Sequence, residues 1–534
     1  DKTRFQASWS DLAWKQWKLL PGAEHFSGTL SGSVENGLLT ASMKQAKMPY
    51  ETVFRASLEI ADGQATISWL NNNKGFQLDG RNIDVKAKAV HARGGFRYLQ
   101  PANDEPWLGI LAGISTDDGS QAWRYFPENL MGKDLVDYLS GAIQGGEADN
   151  ATLVYGGNPQ LFPYKHNEGQ FEVLVPLRNA KFAFQPDWPA LTNLDIELDF
   201  INDGLWMKTD GVNLGGVRAS NLTAVIPDYS KEKLLIDADI KGPGKAVGPY
   251  FDETPLKDSL GATLQELQLD GDVNARLHLD IPLNGELVTA KGEVTLRNNS
   301  LFIKPLDSTL KNLSGKFSFI NSDLQSEPLT ASWFNQPLNV DFSTKEGAKA
   351  YQVAVNLNGN WQPAKTGVLP EAVNEALSGS VAWDGKVGID LPYHAGATYN
   401  IELNGDLKNV SSHLPSPLAK PAGEPLAVNV KVDGNLNSFE LTGQAGADNH
   451  FNSRWLLGQK LTLDRAIWAA DSKTLPPLPE QSGVELNMPP MNGAEWLALF
   501  QKGAAESVGG AASFPQHITL RTPMLSLGNQ QWNN

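Results

Sequence analysis

Residues 194–200 read Leu-Asp-Ile-Glu-Leu-Asp-Phe, and the fold class follows from them. Successive side chains of a strand point to opposite faces, so this alternation makes one apolar face and one wet face. The same period recurs on both sides of the stretch. Leu234, Ile236, Ala238 and Ile240 follow it, and then Val273, Ala275, Leu277, Leu279 and Ile281 alternate with Asp272, Asn274, Arg276, His278 and Asp280. Further on come Tyr351, Val353, Val355 and Leu357, then Tyr399, Ile401 and Leu403, then Leu426, Val428, Val430 and Val432. The pattern fits antiparallel sheet with one solvated side; a parallel α/β sheet would show continuous apolar runs.

A short phrase of Leu or Val, a polar residue and Gly punctuates these strands, as in Leu269-Asp270-Gly271 and Leu403-Asn404-Gly405. Glycine at a strand end permits a turn or a bulge. The spacing is irregular, which describes a loose β repeat rather than a solenoid of fixed period. Helical signals are few. Pro127–Gln144 places Met131, Leu135, Tyr138, Leu139 and Ala142 at helical spacing and ends at Gly145-Gly146. Shorter helices are expected over Asp11–Leu20, Pro255–Leu267, Pro370–Leu377 and Asn492–Ser507, and loops over the Pro-rich stretches 413–425 and 474–479.

Composition narrows the function classes. Gly and Pro make up about 15 % of the 534 residues, against a usual ~12 %. That suits a turn-rich β protein. The net charge of −16 argues against nucleic-acid binding and against broad adsorption to anionic membranes. With no cysteine in the chain, disulfides, thiol nucleophiles and Cys-based metal sites are out, which suits an oxidising compartment such as the bacterial periplasm. The longest apolar candidate, Leu108–Ile114, has seven residues, far short of the ~20 that a membrane helix needs. The sequence reads as a fragment of a longer protein.

Catalytic phrases are missing. No Gly-x-Ser-x-Gly elbow or phosphate loop occurs, and no two of the eight histidines lie within four residues of each other. Asp270, Asp272 and Asn274 imitate the start of a calcium loop, but Ala275 and Ile281 occupy its sixth and twelfth positions. Asp195, Glu197 and Asp199 offer paired carboxylates, yet an outer wet face explains them more simply. No cofactor, metal or catalytic residue is expected. The 15 Trp residues, with Trp9, Trp14 and Trp17 grouped at the expected first helix, suit core and rim packing, or sugar stacking.

A sheet with one apolar face must bury it. With roughly 20–30 strands expected and about five short helices, two solutions remain open: sandwiches or barrels in which sheet packs on sheet, or a curled trough holding an apolar ligand.

The run Trp123-Arg124-Tyr125-Phe126-Pro127-Glu128-Asn129-Leu130 with its following helix, the stretch Trp14–Pro21 and the Leu-x-Gly strands resemble the AsmA-like proteins of Gram-negative bacteria. The resemblance runs over most of the chain. It implies a mainly β fold: an elongated, curled antiparallel sheet forming a hydrophobic groove, of the repeating β-groove or β-taco kind, with a few short amphipathic helices. It implies a non-enzymatic, bridge-like lipid transporter anchored in the inner membrane, with a periplasmic groove that conducts phospholipids toward the outer membrane. Phospholipids would be the partners, both membranes would be reached through parts outside this chain, and protein partners stay unassigned.

On that resemblance the groove lining comprises Leu194, Ile196, Leu198, Phe200, Ile236, Ile240, Val273, Leu277, Leu279, Phe317, Phe319, Val353, Val355, Ile401, Leu403, Val428 and Val430. The helix carrying Met131, Leu135, Tyr138 and Leu139 is expected to gate the groove or to cap a sheet edge. Asp at Ile196 or Leu277 is expected to slow transport without unfolding the sheet. The chain is read as one continuous groove fragment, 1–534. Its expected parts are an N-terminal groove portion 1–122, an amphipathic helix 123–150, strands 151–240, a helical insertion 241–268, strands 269–365, a short helix 366–380, strands 381–489, a helix 490–508 and a terminal strand 509–534. The competing readings are a periplasmic or secreted glycan-binding or carbohydrate-active β protein, and a structural scaffold of β-sandwiches.

Overall fold

The computed structural model describes residues 3–18, 20–504 and 512–533. The chain is mainly β, with long, curled antiparallel sheet and a few short helices. It forms two compact units: Asp1–Lys241 with Ala275–Lys291, and Gly242–Asn274 with Gly292–Asn534.

The first unit is a meander in which each strand pairs antiparallel with the next, from Arg4–Trp14 through Ala23–Ser33 and Asn36–Met48 to Gly204–Leu214, Val217–Ile226 and Lys233–Pro243. Alternation therefore carries across the hydrogen bonds. Ala7, Leu30, Leu39, Ile67, Gly80, Phe96, Ile110 and Tyr155 stand opposite one another on consecutive strands and form one row on one face. Rings lie flat over glycines in this face. A Cβ on Gly80 would lie 2.2 Å from the Phe96 ring, and one on Gly37 would lie 2.0 Å from Trp69. Neither glycine can gain a side chain without displacing its ring.

The curl has a cause in backbone conformation. Asparagines interrupt the strands in left-handed conformation: Asn82 (φ 49°), Asn179 (φ 49°), Asn193 (φ 51°) and Asn221 (φ 49°). The register shifts beside Asn82, Asn193 and Asn221. Such bulges bend the strand, and Asn tolerates the conformation better than most residues. The amide freed at a bulge finds a side chain on the next strand: Asn179 N–H donates to Asp195 Oδ1 at 3.0 Å, and Asp11 N–H to Ser27 Oγ at 3.1 Å.

The second unit contains strands Ser308–Ile320, Gln336–Glu346, Ala350–Trp361, Val381–Pro392, Thr398–Asp406, Ala427–Asn435, Ser438–Ala445, Asn449–Leu456 and Leu461–Ala470. From Gln336–Glu346 to Asn449–Leu456 the antiparallel registers run without a shift. The tight turn Trp333–Gln336 has Phe334 and Asn335 both at positive φ (46° and 59°), the geometry that matches strand twist. Parallel pairing enters late: Gly483–Asn487 runs parallel to Leu461–Ala470, and Ile518–Arg521 parallel to Gly483–Asn487. The Pro-rich connection 471–482 gives the chain the length needed to cross back.

Helix boundaries depart from expectation in three places. Asp11–Leu20 is not a helix; Arg4–Trp14 is a strand, and the positive φ of Asp11 (59°) disturbs its period so that its apolar spacing imitates a helix. Pro127–Gln144 is two helices, Glu128–Met131 and Lys133–Ala142, broken at Gly132. Pro255–Leu267 holds a π-turn, Lys257–Gly261, ahead of the helix Ala262–Glu266, and a further short helix, Val247–Asp252, precedes it. Glu371–Ala376 and Gly493–Ala504 are helical as expected, while residues 505–508 of the expected last helix, and 509–511 and 534 of the terminal strand, lie outside the described residues.

Candidate functional site

The apolar face meets two different fates. In the first unit the helices Glu128–Met131 and Lys133–Ala142 lie on it. Leu135, Val136 and Leu139 are 0 % exposed. They share one core with Leu177, Leu205, Met207 and Leu234, and with Leu194, Ile196, Leu198 and Ile236 of the expected lining. Phe200, Ile240 and Leu279 pack half-buried around this core, with the Phe200 ring 6.2 Å from that of Phe126. Of the helix residues, Met131 is buried in the core, and Tyr138 packs on its margin and donates its hydroxyl to the Phe184 carbonyl at 3.1 Å. Burial pushes the Tyr138 phenol far above its ordinary range, since a phenolate there would lose its hydration. Leu277 is half-buried.

In the second unit Val273 is buried, and Val353 packs with Leu260 and Tyr351, with Val355 half-buried beside them. Here the helical segment 247–266 supplies the cover. Phe317 and Phe319 are half-buried, Phe317 standing 5.5 Å from Phe342. Ile401, Leu403, Val428 and Val430 lie on regular strands and keep part of their surface in solvent. Pairings of Ile401, Leu403 and Val430 define two adjacent rows, Val387–Ile401–Val432–Leu441–Ser453 and Gly385–Leu403–Val430–Gly443–Phe451, with Val428 in the next, between Gly405 and Ala445. Aromatic residues flank these rows toward the strand ends. Trp361 and Trp383 meet edge to face at 4.8 Å on one side, and Phe439 and Trp455 stack at 6.0 Å on the other. The result is an aliphatic floor with amphipathic aromatic margins.

The opposite face is polar. Glu197 pairs with Lys208 at 3.1 Å. Burial, aided by Glu172 and Glu197, raises the Asp199 carboxyl above its ordinary range. A concavity of about 1020 Å³ in the first unit is lined by Ser8, Thr29, Thr40, Ser42, Gln64, Thr66, Asp84 and Arg93, among others. Its hydroxyls, amides and charges do not suit an acyl chain. Asp270, in the calcium-like stretch, pairs with Lys245 at 3.0 Å, which together with the Gly271 amide holds its carboxyl below the usual range. Among the described residues no cluster of three His, Asp or Glu could hold a metal ion, and no helix is long and apolar enough to cross a membrane.

Sequence reasoning missed one residue. Arg55 donates to the Glu128 carboxylate, to Asp137 Oδ1 at 2.6 Å and to the Lys133 carbonyl at 3.3 Å. It ties the helices that cover the apolar face to a loop more than seventy residues away in the chain. Nothing local marks it.

One protein-family model, described as YhdP protein, matches residues 1–534, and no solved structure matches the chain.

Proposed function

The chain belongs to the YhdP family, and from that premise we propose that it is the periplasmic groove segment of an inner-membrane-anchored, bridge-like transporter. In this reading the segment holds phospholipid acyl chains against its apolar face and passes them between inner and outer membrane, supporting outer-membrane lipid balance and the permeability barrier. Family membership and the extent of antiparallel sheet fit a lipid-transport role broadly.

The observation that carries the finer reading is the regular, partly open apolar face of strands 381–456. A run of largely aliphatic rows, polar only where Asn449 and Ser453 of the last strand close two of them, offers about 0.8 kcal/mol for each methylene removed from water. Neighbouring positions offer nearly the same energy, so a chain can hold and still slide. No protein group reacts with the cargo, and catalysis has no place in the scheme.

A photo-crosslinker scan through Val428, Asn429, Val430, Lys431 and Val432, read out as lipid adducts in cells, tests it. Adducts are expected at 428, 430 and 432 and not at 429 or 431. Silence at all five, or equal labelling of both faces, overturns the reading. This strand is the better test site than Leu194–Leu198, because Leu194, Ile196 and Leu198 are sealed against the covering helix.

A further inference from the structure

The helix Lys133–Ala142 occupies the space over the apolar face of the first unit, and two kinds of contact hold it there. One is apolar: Leu135, Val136 and Leu139 against the strands. The other is a clasp. Arg55 engages Glu128, Asp137 and the Lys133 carbonyl, Lys133 also bonds Asp137, and the Val53 carbonyl accepts the Glu128 N–H at 3.0 Å. The clasp grips both short helices from one loop.

A glycine precedes the longer helix, and a second lies in the strand that follows it. Gly132 sits at φ 84° and ψ 154°, and a Cβ there would meet nothing within 4 Å; Gly146 sits at φ 131°. These are conformations that side chains rarely adopt. Gly132 gives the chain a pivot immediately before the helix, while Gly146 marks a bulge inside the strand Ile143–Gly157 that anchors the helix's other end.

The geometry points to a latched gate: Arg55 holds the Lys133–Ala142 helix in the groove, and release of the clasp lets acyl chains take the helix's place against Leu194, Ile196 and Leu198. This rests on the lipid reading above. The physical case is an exchange of like for like. An acyl chain offers the strands the same apolar contact as the leucines it displaces, so that term nearly cancels between the two states. The charged hydrogen bonds of Arg55 do not cancel, since a lipid chain supplies no substitute, and they therefore bias the equilibrium toward the seated helix.

The absence of cysteine makes the test direct. Leu139→Cys places one thiol on the buried side of the helix, and Ala23→Cys places one on a strand of the same unit, buried but outside the core beneath the helix. Maleimide labelling of each is followed in the full chain, with and without Arg55→Gln. Labelling at 139 is expected to accelerate about tenfold or more with the clasp removed, and labelling at 23 to stay unchanged. No acceleration at 139, or equal acceleration at both sites, overturns the latch. Ala142→Cys, a smaller change at another buried site of the same helix, repeats the measurement if Leu139→Cys does not fold.

A photo-crosslinker at Ile196 separates this inference from the reading beneath it. In the Arg55→Gln chain it should gain phospholipid adducts. Silence at 196 with adducts at Val430 defeats the gate and leaves the lipid reading standing. Silence at both defeats the lipid reading, and the gate with it.

Discussion

Strands 191–240 and strands 381–456 carry the same alternation and come to different ends. In the first set Leu194, Ile196, Leu198 and Ile236 are sealed beneath a helix; in the second Ile401, Leu403, Val428 and Val430 remain partly open. The backbone differs too. The first set is broken by left-handed Asn193 and Asn221, each beside a register shift. The second runs in unbroken register from Val381–Pro392 through Asn449–Leu456. Bulges bend and twist a sheet, so the first set can wrap around a helix, whereas the second stays a regular surface. Alternation specifies that a face is apolar. It does not specify what lies on it.

The largest expected effect breaks the comparison with one charge. Ile196→Asp should destabilise the first unit by about 3–5 kcal/mol, because it buries a carboxylate without a partner. Val430→Asp should cost within about 1 kcal/mol, because its side chain can reach water, and it should abolish lipid adducts at the neighbouring Val428 and Val432. Chemical denaturation followed by tryptophan fluorescence compares the two. This replaces the expectation that Asp at Ile196 leaves the sheet folded: the residue is only 5 % exposed.

A smaller effect sharpens the same contrast. Leu139→Ala should cost about 2–5 kcal/mol through the cavity it opens beneath the helix. Val430→Ala, on a surface that is already partly wet, should cost under about 1 kcal/mol. Equal losses at the two sites would mean that both faces are sealed, and the distinction between them would fail.

The faces, the strand-rich class and the helix near 127–144 were legible because each is a local periodicity. Three things were not. Which side chains cover which face depends on contacts between distant segments; Arg55 and Asp137 are 82 residues apart. The parallel strands Gly483–Asn487 and Ile518–Arg521 are too short to declare their partners. The second half of the strand Arg4–Trp14 imitates a helix because the bulge at Asp11 shifts its period by one residue. The bulges did leave a trace, since Asn82, Asn179, Asn193 and Asn221 each fall within an otherwise alternating strand. That trace can be tested. Asn193→Val places a β-branched residue at φ 51° and should cost about 1–2 kcal/mol. Asn404→Val, in a regular strand of the open set, should be neutral within about 0.5 kcal/mol.

The smallest effect is that of pH on the clasp. The hydrogen bond from Lys133, and then that from Arg55, hold the Asp137 carboxyl below its ordinary value of 3.8. A group depressed in the folded state contributes stability that is present above its unfolded value and is lost as pH falls through its folded value. The seated helix should therefore be insensitive to pH from neutrality down to about pH 4, and should loosen only below that. Hydrogen exchange of the 133–142 amides, corrected for its intrinsic pH dependence, reads this directly. Asp137→Asn removes the titrating charge, so its exchange should already be faster at neutral pH and should lack the acid step. The amides of strand Ala427–Asn435, remote in sequence from any Arg55 contact, should show no difference between the two chains. An acid step that persists in Asp137→Asn would assign it to another paired carboxylate of the first unit, Glu128 on Arg55 or Asp79 with Arg97; if it persists in Asp137→Asn with Glu128→Gln as well, the clasp has no part in it.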